Sequence, residues 1–569
     1  MRTKNSFINF LANTGSYTIN LILSFITRTI FIHVFSAAYL GINGVFTNIL
    51  SVLSLSELGI GVAMNYFLYT PIASEDEKTI RQFMNLYRVM YTVVGGFVGI
   101  AGLCLVPFLD FFLKDQPDIP GITFIYILYL ANTVVSYMWG YKRAIIDGHQ
   151  KSYIGTFYNT IFTTTQFILQ IIVLLVFENF ILYLVIQIAC SIITNLVVAR
   201  KANKMYPYIT TDRKDYPPKE VRKKVFKNVG AMSIHKLGDV VVNNTDNLIM
   251  STAVGVTIVG MLSNYQMIQA SIITALNGLF GAFTASIGNL TVEEDDESVF
   301  RVYKTLQFLC FWLYSFCSVG FMVVFTPFME AWAWVAGKPS EELVIPMAML
   351  LVFTANFYMG GMRRVILTFR DAMGLYWYDR YKPIFEVIIN LVVSITLVLH
   401  IGAIGVMIGT LVSTMTTCFW VEPLVTYKYG FHRKVRHYFG IFTKYTLTTI
   451  IVGGFTYWVC HFISMGGILE VVLKVLACTA VYNVIVLLLY GRTQEFKILW
   501  GETMKLIKGW IARRRGKNDD DAESDEAEDD AESDEAEDKA EEKEDILEDI
   551  TEEIKAEEEE EKKDKGEEK

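Results

Sequence analysis

The chain predicts an all-α fold, a duplicated polytopic membrane protein of about fourteen transmembrane helices, on three observations. Of its 569 residues 53% are apolar and 14% aromatic, more than a single soluble core uses. The apolar residues gather in segments of about 20, enough to cross roughly 30 Å of hydrocarbon. The chain also contains itself twice: moving the first third by 219 residues lays Gly41 on Gly260 and Gly59 on Gly278. Repeated bundles that meet at a polar midplane are the usual architecture of secondary transporters, because rocking one repeat against the other opens the site to alternate sides.

The first segment, 8–34, is broken by Asn13 and Gly15 and has no small-residue cleavage site, so it reads as a retained helix and not a signal peptide. Segments at 40–69, 84–112, 120–139, 153–177 and 179–199 complete the first copy. The second copy runs through 228–253, 255–289, 305–330, 343–368, 384–400 and 402–425, and two more segments follow at 441–464 and 467–490. Lys and Arg mark cytoplasmic loops. They gather at 142–151, 200–224, 370–382 and 428–436, whereas the alternate loops carry Lys114 and Lys338. Both termini are therefore expected inside, which requires an even number of spans.

The C-terminal end is a separate physical object. Residues 518–569 hold 30 Asp and Glu against 7 Lys, a net of −23, so with −9 overall the remainder carries +14. Such an acidic low-complexity tail, nearly free of apolar residues, is expected to be disordered. Before it, 492–517 mixes Trp500, Met504, Leu506 and Trp510 with Lys505, Lys508 and Arg513, the pattern of a basic amphipathic helix on anionic lipid.

The seven cysteines lie inside apolar segments with no Cys-x-x-Cys or Cys/His cluster, which supports neither a metal site nor a disulfide. Neither a phosphate-binding glycine loop nor a paired-carboxylate motif occurs. The sequence reads as a non-enzyme without cofactor, metal or nucleic-acid partner, acting as a monomer among membrane lipids.

Function must then rest on polar groups within spans, since a charge in hydrocarbon is costly and faces a bundle interior or a watery cavity. At about 100° per residue, Asn13, Ser16, Asn20, Ser24, Thr27 and Arg28 fall on one arc of the first helix. The shift of 219 sets Ser16 on His235, Tyr17 on Lys236, Asn20 on Asp239, Ser24 on Asn243, Thr27 on Asp246 and Arg28 on Asn247, so the seventh helix bears a matching stripe. The two stripes are expected to face each other. Arg28 lines a substrate cavity, forms a structural ion pair with Asp239 or Asp246, or snorkels outward from the external end of its helix. Asp239, Asp246, His235 and Glu57 are candidates for ion coupling; Glu57 reads equally as a buried carboxyl or helix cap. A second match, shifted by 221, sets 137–143 on 358–364 and makes Lys142, Arg143, Arg363 and Arg364 candidates for a cytoplasmic gate, against a plainer role as topology determinants. Glu386 and Glu422 read as structural polar groups.

The runs Arg28-Thr-Ile-Phe-Ile-His-Val-Phe, Tyr39-Leu-Gly-Ile-Asn-Gly-Val-Phe and Ser56-Glu-Leu-Gly-Ile-Gly, with Thr245-Asp-Asn-Leu-Ile-Met downstream, resemble bacterial polysaccharide repeat-unit flippases of the multidrug/oligosaccharidyl-lipid/polysaccharide exporter superfamily. The resemblance covers residues 1 to about 490. It implies two six-helix lobes in a V, at 1–220 and 221–437, with two added helices at 438–491. It also implies a bacterial plasma-membrane protein that moves an undecaprenyl-pyrophosphate-linked oligosaccharide outward, driven by a proton or sodium ion. That cargo needs cations for pyrophosphate, for which Arg28 and Lys236 serve. It needs hydroxyl, amide and aromatic partners for sugars, which Asn20, Ser24, Tyr17, Asn243 and Asn247 supply. The alternatives are a drug or small-cation antiporter of the same superfamily, a membrane polymerase or glycosyltransferase, or a scaffold that recruits partners through the tail.

Overall fold

A computed structural model describes residues 2–54, 60–113, 119–212, 214–293, 295–375 and 378–514. Every expected span coincides with a helix or a pair of consecutive helices. The first copy holds α1 (Arg2–Val34), α2 (Ala37–Leu53), α3 (Ile60–Ala73), α4 (Glu77–Leu105), α5 (Ile122–Gly140), α6 (Ser152–Phe177) and α7 (Phe180–Met205). The second holds α8 (Lys219–Ala253), α9 (Val256–Glu293), α10 (Asp296–Val335), α11 (Met347–Met362), α12 (Arg364–Ala372), α13 (Lys382–Ile401), α14 (Ala403–Ser413) and α15 (Phe419–Val425). Then come α16 (Arg436–His461), α17 (Gly467–Tyr490) and α18 (Gln494–Arg514). Among the described residues nine helices are long and apolar enough to cross a membrane. Of the others, α2, α3, α11 and α12 are shorter, and α8 carries the polar groups that the repeat comparison singles out.

Local chemistry sets the boundaries. Asp76 caps α4 by accepting from the Thr79 N–H at 3.0 Å, and Asn179 caps α7 by accepting from Leu182 at 3.0 Å. Glu178 just before it takes φ 47°, which turns the chain between α6 and α7 in two residues. Pro423 sits inside α15 and cannot donate to the helical ladder, and wide π turns at 414–418 and 426–430 flank that helix.

The duplication is visible in the packing. In the first lobe α1 lies on α6, α6 on α7, α5 on α7 and α4 on α5; in the second, α8 lies on α13, α13 on α14, α11 on α14 and α10 on α11. The lobes meet where α2 crosses α9, and here glycine is required on both sides. A Cβ on Gly41 would stand 2.0 Å from the Val256 carbonyl oxygen, and one on Gly260 would stand 2.0 Å from that of Ala37. Residues 37 and 41 correspond to 256 and 260 under the shift of 219, so the two clashes are one contact seen twice.

The additional helices α16 and α17 attach to α10. Phe311 stacks on Tyr445 at 4.2 Å, and the Trp312 indole donates to Asn483 at 2.8 Å. Residues Arg492–Lys569 form a unit separate from Met1–Gly491, of which α18 is described.

Candidate functional site

Arg28 is the central group. It stands on α1, partly buried, and its fork crosses to the second lobe: Nε donates to Asn264 Oδ1 at 2.9 Å and Nη2 to the Ser263 hydroxyl, both on α9. Among the described residues no carboxylate pairs with it. Asp246 is engaged elsewhere. It accepts from the Thr410 hydroxyl, which in turn accepts from Asn390 at 3.1 Å. Asp246 Oδ1 is shut from solvent with no hydrogen-bond partner, although Asn390 stands beside it. The structural ion pair between Arg28 and Asp246 does not form in this conformation.

Other stripe residues divide between two neighbours. Tyr17 donates to the Ser271 carbonyl of α9 at 2.9 Å, so α1 touches the second lobe at two depths. Asn13 and Ser16 instead accept from Thr156 at 2.9 Å and Thr160 at 2.6 Å on α6. Asn20 donates to Ser16 at 3.3 Å and leaves its buried Oδ1 unpartnered, and Ser24 donates to the Leu21 carbonyl within its own helix. Asn247 is buried with its side-chain oxygen unpartnered. Glu57 lies outside the described residues, as do the side chains of His235, Lys236, Asp239 and Asn243.

The matched dipeptides occupy matched places. Lys142-Arg143 follows the end of α5 and Arg363-Arg364 the end of α11, each at a break into a shorter helix, Arg143–Gly148 and α12. Their described contacts stay within their own lobes. Lys142 donates to Asn203 at 2.9 Å, and Arg143 meets Asp147 at 3.4 Å one turn on. Arg363 makes a two-point pair with Glu422, Nε to Oε2 at 2.8 Å and Nη2 to Oε1 at 2.6 Å. Lys382 completes the cluster at 2.5 Å from the same Oε1, and the Glu422 side chain has no exposure to solvent. Arg364 keeps a buried Nε with no partner.

Two spaces stand out. One is a polar cavity of about 640 Å³ where α2, α5, α6 and α7 of the first lobe converge and α8 reaches in from the second. Asn43, Asn132, Gln166, Gln170 and Gln187 line it with Asn244 of α8, and Tyr129 and Tyr183 form the wall toward Arg28, near enough to feel its charge. The other is an apolar groove of about 610 Å³ among α1, α9, α10 and α17, where Leu21 and Phe25 face Phe321 and Val475. Reasoning from charged residues in spans did not single out the cavity, because its lining is amides and hydroxyls. The signal available was the difference between the two copies: Asn43 matches Leu262, and Asn132 matches Phe353.

No protein-family model matches the chain, and no curated protein matches it by sequence. Among solved structures it is similar to a lipid II flippase MurJ in an inward closed conformation, with 14% identity and TM-score 0.60 over 84% of this chain and 98% of that one. It is also similar to an inward-facing multidrug resistance MATE family transporter of the MOP superfamily, with 15% identity and TM-score 0.51 over 71% of this chain and 94% of that one. The chain therefore shares the all-helical, two-lobed fold of these two structures.

Proposed function

We propose that the chain is a flippase that moves an undecaprenyl-pyrophosphate-linked oligosaccharide from the inner to the outer leaflet of the bacterial plasma membrane by alternating access. The observation that carries this reading is Arg28, a guanidinium at the meeting of the lobes held by neutral Asn264 and Ser263 and by no described carboxylate. Its charge is thus available to an anion, and its planar fork suits phosphate oxygens. The two spaces differ as the two ends of such a cargo differ: the polar cavity suits a hydrophilic head and the apolar groove along α1 suits a lipid tail. Of the two solved structures named above, one is a MATE family transporter and the other a lipid II flippase by name.

The α2 and α9 crossing lies on the face opposite the basic loops. There His33 Nδ1 also meets the Ala336 carbonyl at 2.9 Å, and Trp332 donates to Thr29 at 2.9 Å while stacking on Phe25. Parting these contacts as the lobes rock would release a head group held at Arg28 to the outer side. The test is a flipping assay in proteoliposomes with a fluorescent undecaprenyl-pyrophosphate disaccharide. Arg28→Ala is expected to slow flipping by about 10- to 100-fold, the loss of one or two charge-assisted hydrogen bonds. Flipping at the wild-type rate would end the reading.

Asp246 favours a second reading, a small-cation antiporter, because it is a carboxylate with one buried oxygen unpartnered. In a flippase the same group would bind the driving ion. Asp246→Asn separates them: it should flatten the dependence of flipping on the proton or sodium gradient in the first case, and abolish efflux of a cationic dye in the second.

A further inference from the structure

We propose that the polar cavity where α2, α5, α6 and α7 converge is a binding site for neutral sugars of the cargo, separate from the phosphate site at Arg28. The proposal rests on the flippase reading for the identity of the cargo and on independent observations for the site.

The lining is chemically one-sided. It offers side-chain amides at Asn43, Asn132, Gln166, Gln170 and Gln187, with hydroxyls at Thr47 and Thr133, and it includes no charged side chain. An amide both donates and accepts, which is also what a sugar hydroxyl does, so each can serve the other in either direction. The lining supplies no cation of its own, so a buried carboxylate would lose its hydration without a lining group to pair it, and acidic sugars are disfavoured.

The lining also holds unmet hydrogen-bonding capacity. Tyr129 is 7% exposed, and its hydroxyl has no partner; Asn132 Oδ1 is likewise buried and unpartnered. Gln166 and Gln170 form a chain by a 3.3 Å bond, and Gln170 donates to the Tyr183 carbonyl at 3.3 Å, which fixes their orientation. Buried polar groups left without partners call for a ligand or water. The volume, about 640 Å³, lies in the range of roughly 300–1,000 Å³ typical of small-molecule sites.

The fold does not require this space. Under the shifts of 219 and 221, Asn43, Tyr129 and Asn132 correspond to Leu262, Leu350 and Phe353. These three are buried at 1%, 0% and 4% exposure in the second lobe, where Phe353 packs against Tyr265, Phe321 and Phe325. One copy fills the position with core and the other leaves it open and lined with amides. Tyr129 and Tyr183 belong to the cavity wall and lie within electrostatic reach of Arg28. A pyrophosphate held by the guanidinium would thus place its first sugars at the cavity mouth.

The test uses the full-length protein in lipid nanodiscs and saturation-transfer NMR, with diacetylchitobiose as the neutral probe, a uronate disaccharide of the same size as the acidic one, and inorganic pyrophosphate measured separately. Wild-type protein should bind the neutral probe at least roughly fivefold more tightly than the acidic one, about one hydrogen bond's worth of discrimination. Gln166→Leu with Gln187→Leu should weaken neutral-sugar binding by about tenfold or more and leave pyrophosphate binding unchanged. Asn132→Leu gives the same readout if the double variant is not recovered folded. Arg28→Ala should do the reverse, losing pyrophosphate and keeping the sugar. Absence of neutral-probe binding, binding that none of these cavity substitutions weakens, or equal affinity for the uronate overturns the sugar site and leaves the flippase reading standing. Loss of the pyrophosphate result alone overturns the phosphate role of Arg28 and leaves the sugar site standing.

Discussion

In the first lobe Arg28 is held by an amide and a hydroxyl from the opposite lobe, whereas in the second Arg363 is locked between Glu422 and the helix that ends beneath it. Both are partly buried guanidinium groups, yet their surroundings give them different work. Glu422 is fully enclosed and answers two cations, Arg363 and Lys382, so removing it leaves two charges uncompensated. Among the described residues no charged partner of Arg28 is left behind when it is removed. On the proposed reading, a charge in a span with neutral partners is free to serve a ligand, whereas one closed by a carboxylate with two hydrogen bonds serves the fold.

The sharpest way to break that comparison is to exchange the outcomes. Glu422→Ala is expected to destabilise the protein by about 3–5 kcal/mol, the cost of breaking a buried pair from one side, and to show as low membrane abundance and a lowered melting temperature. Replacing Arg363 and Lys382 by Met along with Glu422→Gln should restore abundance, since an apolar substitute for a buried ion cluster is often neutral. Arg28→Ala should keep wild-type abundance while polymer export falls by about 10- to 100-fold. Arg28→Lys keeps the charge without the fork, so export should fall between the two. An Arg28→Ala protein that is lost from the membrane would place Arg28 with Arg363 and erase the distinction.

The crossing of α2 and α9 sharpens the comparison differently, since there the lobes behave alike. Gly41→Ala drives a methyl into the Val256 carbonyl, and Gly260→Ala drives one into Ala37. Overpacking of this kind costs roughly 1–3 kcal/mol, a shift of about 5- to 150-fold away from the conformation closed on this face. Cysteine labelling near Lys338 from the outer side should report it. Because both changes strain one contact, the double variant should add little to either single one.

Much of this was legible in the sequence, for a physical reason. A span must satisfy its own backbone, so helix position follows from apolar length, and helices cover most of the described residues of each expected span. Duplication gave the glycine crossing its two halves, Gly41 and Gly260, before any contact was known. The facing of the stripes was less legible, since periodicity gives an arc but not the neighbour: Asn13 and Ser16 turn toward α6 and Tyr17 and Arg28 toward α9. The cavity amides escaped because an uncharged residue in a span is cheap enough to pass as packing. Glu422 was expected as a structural group, but its two cations come from positions 59 and 40 residues earlier, a pairing the sequence pattern does not encode.

The smallest expected effect concerns the basic loop between the lobes, which is fastened at two ends by groups of different titration range. At one end Asp215 accepts from Arg81 at 2.7 Å and from Gln82 at 2.7 Å, and these bonds hold its carboxyl below the usual range. At the other, Tyr206 stacks on His149 at 4.3 Å, and burial holds that imidazole below its ordinary value. Both folded values are lowered, so both fastenings are complete at high pH and weaken as protons bind. The windows differ. The histidine end is complete above about 6.5 and loosens as pH falls through its lowered value, whereas the aspartate end persists until pH falls below about 4. Hydrogen exchange, corrected for intrinsic rates, should therefore show 206–209 losing protection first on acidification and 212–215 only later. Asp215→Asn should remove the later step and leave the earlier one. A single step shared by both ends would mean that the loop is held as one unit and that the two fastenings are not independent.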